Sequence, residues 1–256
     1  MKKLLIIVTL IISAALYGKT VKLGCSAVPM AEIFEIIKED LKNDGINLEI
    51  VEMADYITPN LALADGSIDV NAFQHVPFLT KFVEERNLNL VPAGNTMIAP
   101  LALYSKKYKN LEELPEKAVI AIPNDPTNEG RALALFHKVG LIKLKDPTNL
   151  LCTPKDIIEN LKNFKFEELE AAQLPRAMED VDAAIINGGY AVNAGFSPVN
   201  DNILIEDKNS PYINVFAVRK GDENREDIQK IVKHFQTEKV KKFILEKYKG
   251  AYIPAF

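Results

Sequence analysis

From Val21 onward the chain alternates short apolar runs with segments of helical periodicity, a pattern that restricts it to an α/β architecture with largely parallel sheets. Val21–Ser26 reads as a strand. Pro29–Asp44 reads as a helix with Ala31, Phe34, Ile37 and Leu41 on one face and Gly45 just past its end. Ile46–Met53 alternates as a second strand. Thr58-Pro59 then opens a short helix closed by Gly66, with threonine suited to the cap and proline to the first helical position. A strand near Asp69–Phe73, a helix from Pro77 to about Arg86 and a strand around Leu88–Val91 follow.

A fresh α/β series begins with strand Val119–Ile122 and a helix from about Thr127 to Val139. Thr153-Pro154, with Asp156 in the first turn, opens another expected helix. Strand Ala183–Ile186 and a helix near Tyr190 continue the series, and helical runs near Arg225–Gln236 and Glu238–Tyr248 close the chain. Two extended apolar segments, Met97–Ser105 and Ile213–Arg219, separate the series and predict two crossings between two lobes. Lobe one is then discontinuous, residues 19–100 and 214–256, and lobe two is 101–213. With no tandem repeat or low-complexity linker, the lobes are expected to be intimately joined. A cleft between α/β lobes is a natural ligand site, because small molecules prefer domain interfaces and the carboxyl ends of sheet strands.

The first residues are an address. Lys2 and Lys3 precede an apolar run from Leu4 to Ile12, broken only by Thr9, and small residues follow at Ser13-Ala14-Ala15; residues 1–18 read as a signal peptide. The run falls short of the roughly 20 apolar residues that span a bilayer. Cleavage fits after Ala15 or after Gly18. The whole chain has 31 basic and 35 acidic residues; removing Lys2 and Lys3 leaves 29 against 35 and a net charge of −6. Nothing in that balance is built to neutralise nucleic-acid phosphates. The only cysteines, Cys25 and Cys152, lie in the first strand and just before a helix far along the chain, and read as small buried hydrophobes rather than a disulfide. Gly24-Cys25 partly matches a lipid-attachment site, but Lys22 and the surrounding strand pattern argue against it.

Catalytic signatures are missing: no His-Glu-x-x-His, Cys-x-x-Cys, Gly-x-Ser-x-Gly, Gly-x-Gly-x-x-Gly or phosphate-binding loop occurs. His75, His137 and His234 lie far apart without metal-ligand spacing, so neither metal nor cofactor is expected. A hydrolase built on His75 needs a nucleophile that the spacing does not supply. Polar and aromatic residues gather instead at strand ends. Asp69-Val70-Asn71-Ala72-Phe73-Gln74-His75 ends a strand in an aromatic, an amide and an imidazole. Ile122 to Arg131 is a strand that stops in turn chemistry and restarts as a helix. A helix N-terminus offers unpaired amides, and Arg131 adds either a fork suited to a carboxylate or an ordinary surface charge.

Read together, these segments resemble the NlpA family of methionine-binding lipoproteins, the receptors of methionine ABC importers. The resemblance rests on Tyr56-x-x-Pro-Asn-x-Ala-Leu, Gly66-x-x-Asp-x-Asn-x-Phe-Gln-His75, Ala99-Pro-Leu-Ala-Leu-Tyr-Ser105 and Ile122-Pro-Asn-Asp-Pro-Thr-Asn-x-x-Arg131. It continues through Gln173-Leu-Pro-Arg-Ala177, Asp182-Ala-Ala-Ile-Ile-Asn187-x-x-Tyr-Ala191 and Ser210-Pro-Tyr-Ile-Asn214-Val215, covering essentially the whole mature chain. It implies a two-lobed periplasmic-binding-protein fold, type II-like, acting as an exported monomer that hands its cargo to an inner-membrane permease. The family's ligand positions fall on Tyr56, Phe73, His75, Arg131, Asn187 and Asn214. Arg131 suits the α-carboxylate, the asparagine amides suit the ammonium or the carboxylate, and Tyr56, Phe73 and the face of His75 suit the thioether. Methionine, a methionyl dipeptide and another small apolar amino acid all stay open as cargo. The chain departs from the family in having no cysteine at the end of its signal peptide, so free periplasmic diffusion or an uncleaved anchor replaces a lipid tether. Gly188-Gly189 also predicts an unusually flexible turn after Asn187.

Overall fold

The computed structural model describes residues 18–256; the expected signal peptide, up to residue 17, lies outside the described residues. The chain first lays down β1 (Lys19–Cys25), α1 (Glu32–Asn43), β2 (Ile46–Glu52), α2 (Thr58–Ala64), β3 (Val70–His75), α3 (Val76–Arg86) and β4 (Leu90–Ile98). It then builds β5 (Leu101–Tyr104), β6 (Val119–Pro123), α4 (Pro126–Lys138), β7 (Ile142–Leu144), β8 (Ile157–Asn160), β9 (Lys165–Leu169), α5 (Leu174–Ala177), β10 (Ala183–Asn187), α6 (Gly188–Asn193) and β11 (Asn202–Ile205). Finally it returns through β12 (Ile213–Arg219), α7 (Glu226–Phe235), α8 (Glu238–Tyr248) and β13 (Ile253–Pro254). One sheet has strand order β13-β4-β12-β3-β1-β2 and the other β11-β5-β10-β6-β9, with β7 and β8 as a separate antiparallel pair.

Both sheets are mixed, where the alternation predicts largely parallel ones. β1 runs parallel to β2 and β3, and β6 parallel to β9 and β10. β12 runs antiparallel to β3 and β4, and β5 antiparallel to β10 and β11. The cause is the path of the chain. The strands of βαβ units run towards the cleft, whereas β5 and β12 enter their sheets from the crossings and run away from it.

The first crossing is shorter than its extended apolar segment suggests, and the second is displaced from its own. Met97 and Ile98 finish β4, Leu101 starts β5, and only Ala99-Pro100 spans between them. The whole of Ile213–Arg219 is β12, so the return crossing lies in the segment before it, after Ile205. The helix expected after Thr153 is absent. Thr153 and Asp156 do hydrogen-bond as a helix start would, Thr153 donating through N and Oγ1 to Asp156 Oδ2 at 2.9 and 3.2 Å, but a single 3-10 turn results. The chain beyond it pairs as β8 with β7, and that ladder overrides the local helix signal. At α2, Asp55 rather than Thr58 supplies the cap, accepting the amides of Ile57 and Thr58 at 2.7 Å each.

Helices cover both faces of each sheet. On the first, α1, α7 and α8 bury Phe34, Ile37, Leu41, Phe235 and Ile244, while α2 and α3 close the other face with Leu63 and Leu79. Phe34, Phe216 and Phe235 meet with ring centroids 5.2–5.9 Å apart, contacts worth about 0.5–1.5 kcal/mol per pair beyond buried area. On the second sheet, α4 packs Ala132, Leu133 and Phe136 against one face, and α5 and α6 cover the other. Cys25 and Cys152 are free and buried in separate cores; burial pushes the Cys25 thiol up to about 12. Cys25 is therefore the buried last residue of β1, paired on both sides.

Two close approaches depend on missing side chains. A Cβ on Gly130 of α4 would lie 2.2 Å from the Leu150 carbonyl oxygen, and one on Gly188 would lie 3.0 Å from that of Pro100. Gly188 thus lets α6 pack onto the first crossing, which explains that glycine by proximity rather than by flexibility. Among the described residues, no helix is long and apolar enough to cross a membrane.

Candidate functional site

A cavity of about 540 Å³ opens between the two sheets, inside the roughly 300–1,000 Å³ range of small-molecule sites. All six residues singled out in the sequence, Tyr56, Phe73, His75, Arg131, Asn187 and Asn214, line it. The fold explains the convergence, because βαβ strands end at the cleft: His75 ends β3, Asn187 ends β10, and α4 starts there after β6. Asn214, near the start of β12, sits directly across from His75 in the ladder.

Phe73 owes its position to a bulge. Val215 pairs with Gln74 and Phe216 with Ala72, so Phe73 is the extra residue of its strand, a device that re-aims side chains beside sites. Behind it, Asn60, Asn71 and Gln74 satisfy one another: Asn60 and Gln74 exchange amide hydrogen bonds of 2.7 and 2.6 Å, and Asn71 donates to Asn60 Oδ1 at 2.9 Å. Asp69 is likewise occupied, accepting the Lys22 amide at 3.0 Å and pairing with Arg225 at 3.3 Å. These motif residues hold β3 in place.

His75 is fully engaged. Its Nδ1 accepts the Phe78 amide at 3.1 Å, so the proton sits on Nε2, which donates to Asn128 Oδ1 at 3.2 Å. Burial, with the Arg131 charge second, pushes its pKa down to about 3. Asn128 Oδ1 also accepts from Asn187 Nδ2 at 2.9 Å, and its own Nδ2 donates to both oxygens of Asp125 at 3.0 and 2.9 Å. Burial pushes the Asp125 carboxyl up, against the hydrogen bonds from Asn128 and Thr127 that hold it down. Asn187 Oδ1 is buried and has no partner among the described residues.

Arg131 differs from its expected availability. Its Nε donates to Glu206 Oε1 at 3.0 Å, and its Nη2 donates both to Glu206 Oε2 and, at 3.0 Å, to the Ala99 carbonyl. The Tyr212 ring lies 4.4 Å below the guanidinium. Glu206 in turn accepts the Leu101 amide at 3.2 Å and the Ser210 hydroxyl at 2.9 Å, so one carboxylate ties Arg131 to both crossings. Only Nη1 is left without a partner among the described residues.

The apolar wall is an aromatic box. Tyr56 lies 5.8 Å from both Phe73 and Phe78 and 4.9 Å from Tyr190 by ring centroids, and Tyr190 donates to the Ala54 carbonyl at 3.0 Å. Loss of solvent pushes the Tyr56 hydroxyl well above its usual range. A second, outer groove of about 600 Å³ shares Tyr56, Phe78 and Tyr190 with the inner cavity. Among the described residues no group of three or more His, Cys, Asp or Glu side chains is arranged to hold a metal.

The chain that builds this cavity is matched over nearly its whole length: residues 21–256 fit the family model described as NlpA lipoprotein. The chain belongs to the NlpA lipoprotein family. It is similar to the probable D-methionine-binding lipoprotein MetQ of Pasteurella multocida, 46% identical over 224 residues that cover 87% of this chain and 81% of that protein. It is also similar to a solved nutrient binding protein from Burkholderia cenocepacia bound to methionine, with a TM-score of 0.89, 44% identity, and coverage of 92% of this chain and 100% of that one. An ABC transporter periplasmic substrate-binding protein from Coxiella burnetii matches with a TM-score of 0.88 and 44% identity over 92% of this chain and 100% of that one.

Sequence reasoning missed Asn128, Glu206, Tyr190, Phe78 and Tyr212 as contributors to the site. Asn128 was within reach, since it lies inside the Ile122 to Arg131 motif. Glu206 gives no local signal, because its partner Arg131 is 75 residues away.

Proposed function

We propose that this NlpA-family protein is an exported, non-catalytic receptor of an ABC importer that captures methionine between its lobes and delivers it to the membrane permease. Residues 19–100 and 214–256 form one lobe in this reading and 101–213 the other. The observation that carries it is the convergence, in one cavity, of unspent polar groups beside an aromatic wall: Arg131 Nη1, the orphaned Asn187 Oδ1 and the side chain of Asn214, next to Tyr56, Phe73, Phe78 and Tyr190.

Arg131 reaches the α-carboxylate through Nη1, because Glu206 occupies its Nε–Nη2 fork. The ammonium, which has donors only, takes Asn187 Oδ1 and the Asn214 carbonyl as acceptors. The thioether packs against the rings, where sulfur–aromatic contacts contribute about 0.3–1.5 kcal/mol each. His75 shapes the pocket, because both of its ring nitrogens are spent on hydrogen bonds that fix the ring, Nδ1 with the Phe78 amide and Nε2 with Asn128.

Thermal melting of the protein after unfolding, ligand removal and refolding tests the assignment. Methionine at about 100 times its dissociation constant stabilises by ~2.7 kcal/mol, a rise of several degrees for a chain of this size. If L-methionine, D-methionine and methionyl dipeptides all leave the melt unmoved, the assignment fails.

A further inference from the structure

The hydrogen bonds around Asn128 run in one direction, and the direction is imposed from both ends. At one end the Phe78 backbone N–H occupies His75 Nδ1, so His75 presents a donor, Nε2–H, to Asn128. At the other end Asp125 presents two carboxylate oxygens, which accept only from the Nδ2 side of the Asn128 amide. Asn128 therefore has a single orientation, with Oδ1 between His75 and Asn187. Asn187 must meet that oxygen with Nδ2, at 2.9 Å, and its own Oδ1 is the atom left buried and unpaired.

His75 comes from the first sheet, whereas Asn187 ends β10 of the second and Asp125 and Asn128 lie at the start of α4, which packs on the second. The full arrangement therefore exists only with the two sheets brought together over the cavity.

We propose that Asn128 is a positioning residue that sets the polarity of the ligand site, holding Asn187 so that the cavity offers an acceptor and demands a hydrogen-bond donor, the α-ammonium of an amino acid. Asn128 acts through Asn187 and needs no ligand contact of its own. The inference rests on the reading of the cavity as an amino-acid site. It deepens that reading by naming what discriminates an amino acid from a carboxylic acid of the same shape.

The test is calorimetric titration of ligand-stripped wild type and Asn128→Ala with two probes, L-methionine and 4-(methylsulfanyl)butanoate, which keeps the chain and carboxylate and lacks the amine. A site built around a donor rejects the analogue lacking it by about 10⁴–10⁵. In Asn128→Ala the Asn187 amide is free to turn, and the wild-type preference for methionine shrinks at least tenfold. Asn128→Asp sets a second carboxyl against Asp125, and two abutting carboxyls hold a proton between them, so the other oxygen still accepts from His75 and Asn187 and the variant retains more of the preference than alanine does. An Asn128→Ala protein that weakens both probes by one common factor, leaving the ratio unchanged, overturns the proposal and makes Asn128 merely structural. The same holds for Asn128→Asp if alanine fails to fold and the aspartate variant loses the preference completely. Wild type that binds neither methionine nor any other amino acid instead overturns the amino-acid reading beneath it.

Discussion

Replacing Glu206 with glutamine separates the two demands placed on Arg131. The carboxylate accepts from Arg131 Nε and Nη2, from the Leu101 amide and from the Ser210 hydroxyl, and it is almost as enclosed as the arginine it faces. Glutamine keeps the volume and one acceptor oxygen but removes the charge. Breaking a buried ion pair by removing one partner costs about 3–5 kcal/mol. Coulomb's law at an effective dielectric of about 20 gives a similar ~4 kcal/mol for charges about 4 Å apart. For a chain in this size range each kcal/mol moves the melt by about 2–4 °C, so the unliganded variant melts roughly 6–20 °C lower. Binding moves the other way. An anionic carboxylate entering beside Arg131 no longer competes with a resident anion, so the affinity for methionine rises, by about tenfold for each 1.4 kcal/mol of repulsion relieved. Scanning calorimetry of the stripped protein and titration with methionine read the two effects separately. A melt lowered by under about 2 °C, or a weakened affinity, refutes the reasoning that Glu206 both holds Arg131 and limits it to one free edge.

Acid stability reports on His75. Its folded pKa, pushed down to about 3, lies below the ordinary value of about 6.5, so no cost exists above pH ~6.5, where both states are neutral. As pH falls through that value the unfolded chain takes up a proton that the folded chain refuses, and stability drops by up to about 1.4 kcal/mol per pH unit until about pH 3. Denaturation at stepped pH compares wild type with His75→Gln, which lacks this contribution; equal slopes in the two proteins exclude it. Gly130→Ala places a Cβ 2.2 Å from the Leu150 carbonyl oxygen, so α4 or the Leu150 backbone must shift at a cost of about 1–3 kcal/mol. An unchanged melt shows that the loop yields freely.

The cavity wall was legible because α/β proteins place their clefts where strands stop, and the stops are written locally. Phe73-Gln74-His75 and Asn187 stand out as polar or aromatic ends on apolar strands, and Asp125 to Arg131 as a capped helix start. The errors have a common cause. Thr153 and Asp156 form the expected pair of contacts, yet β7 recruits the following residues into a ladder. β9, with the sequence Lys165-Phe166-Glu167-Glu168-Leu169, is a charged edge strand with no apolar run to announce it. The extent of the first crossing and the place of the second differ from expectation because an apolar segment looks alike whether it spans a gap or builds a sheet.

The sequence alone thus determined the strands and helices with clear periodicity and which of their ends carry polar and aromatic residues, since periodicity, caps and turn residues act over a few neighbours. Only the tertiary structure decided how the polar groups are shared: that Arg131 gives its fork to Glu206, that Asn128 joins His75 to Asn187, and that Asn187 Oδ1 is left over. Those bonds join residues 53 to 75 positions apart, and hydrogen-bond valence is a property of the assembled neighbourhood that no local pattern encodes.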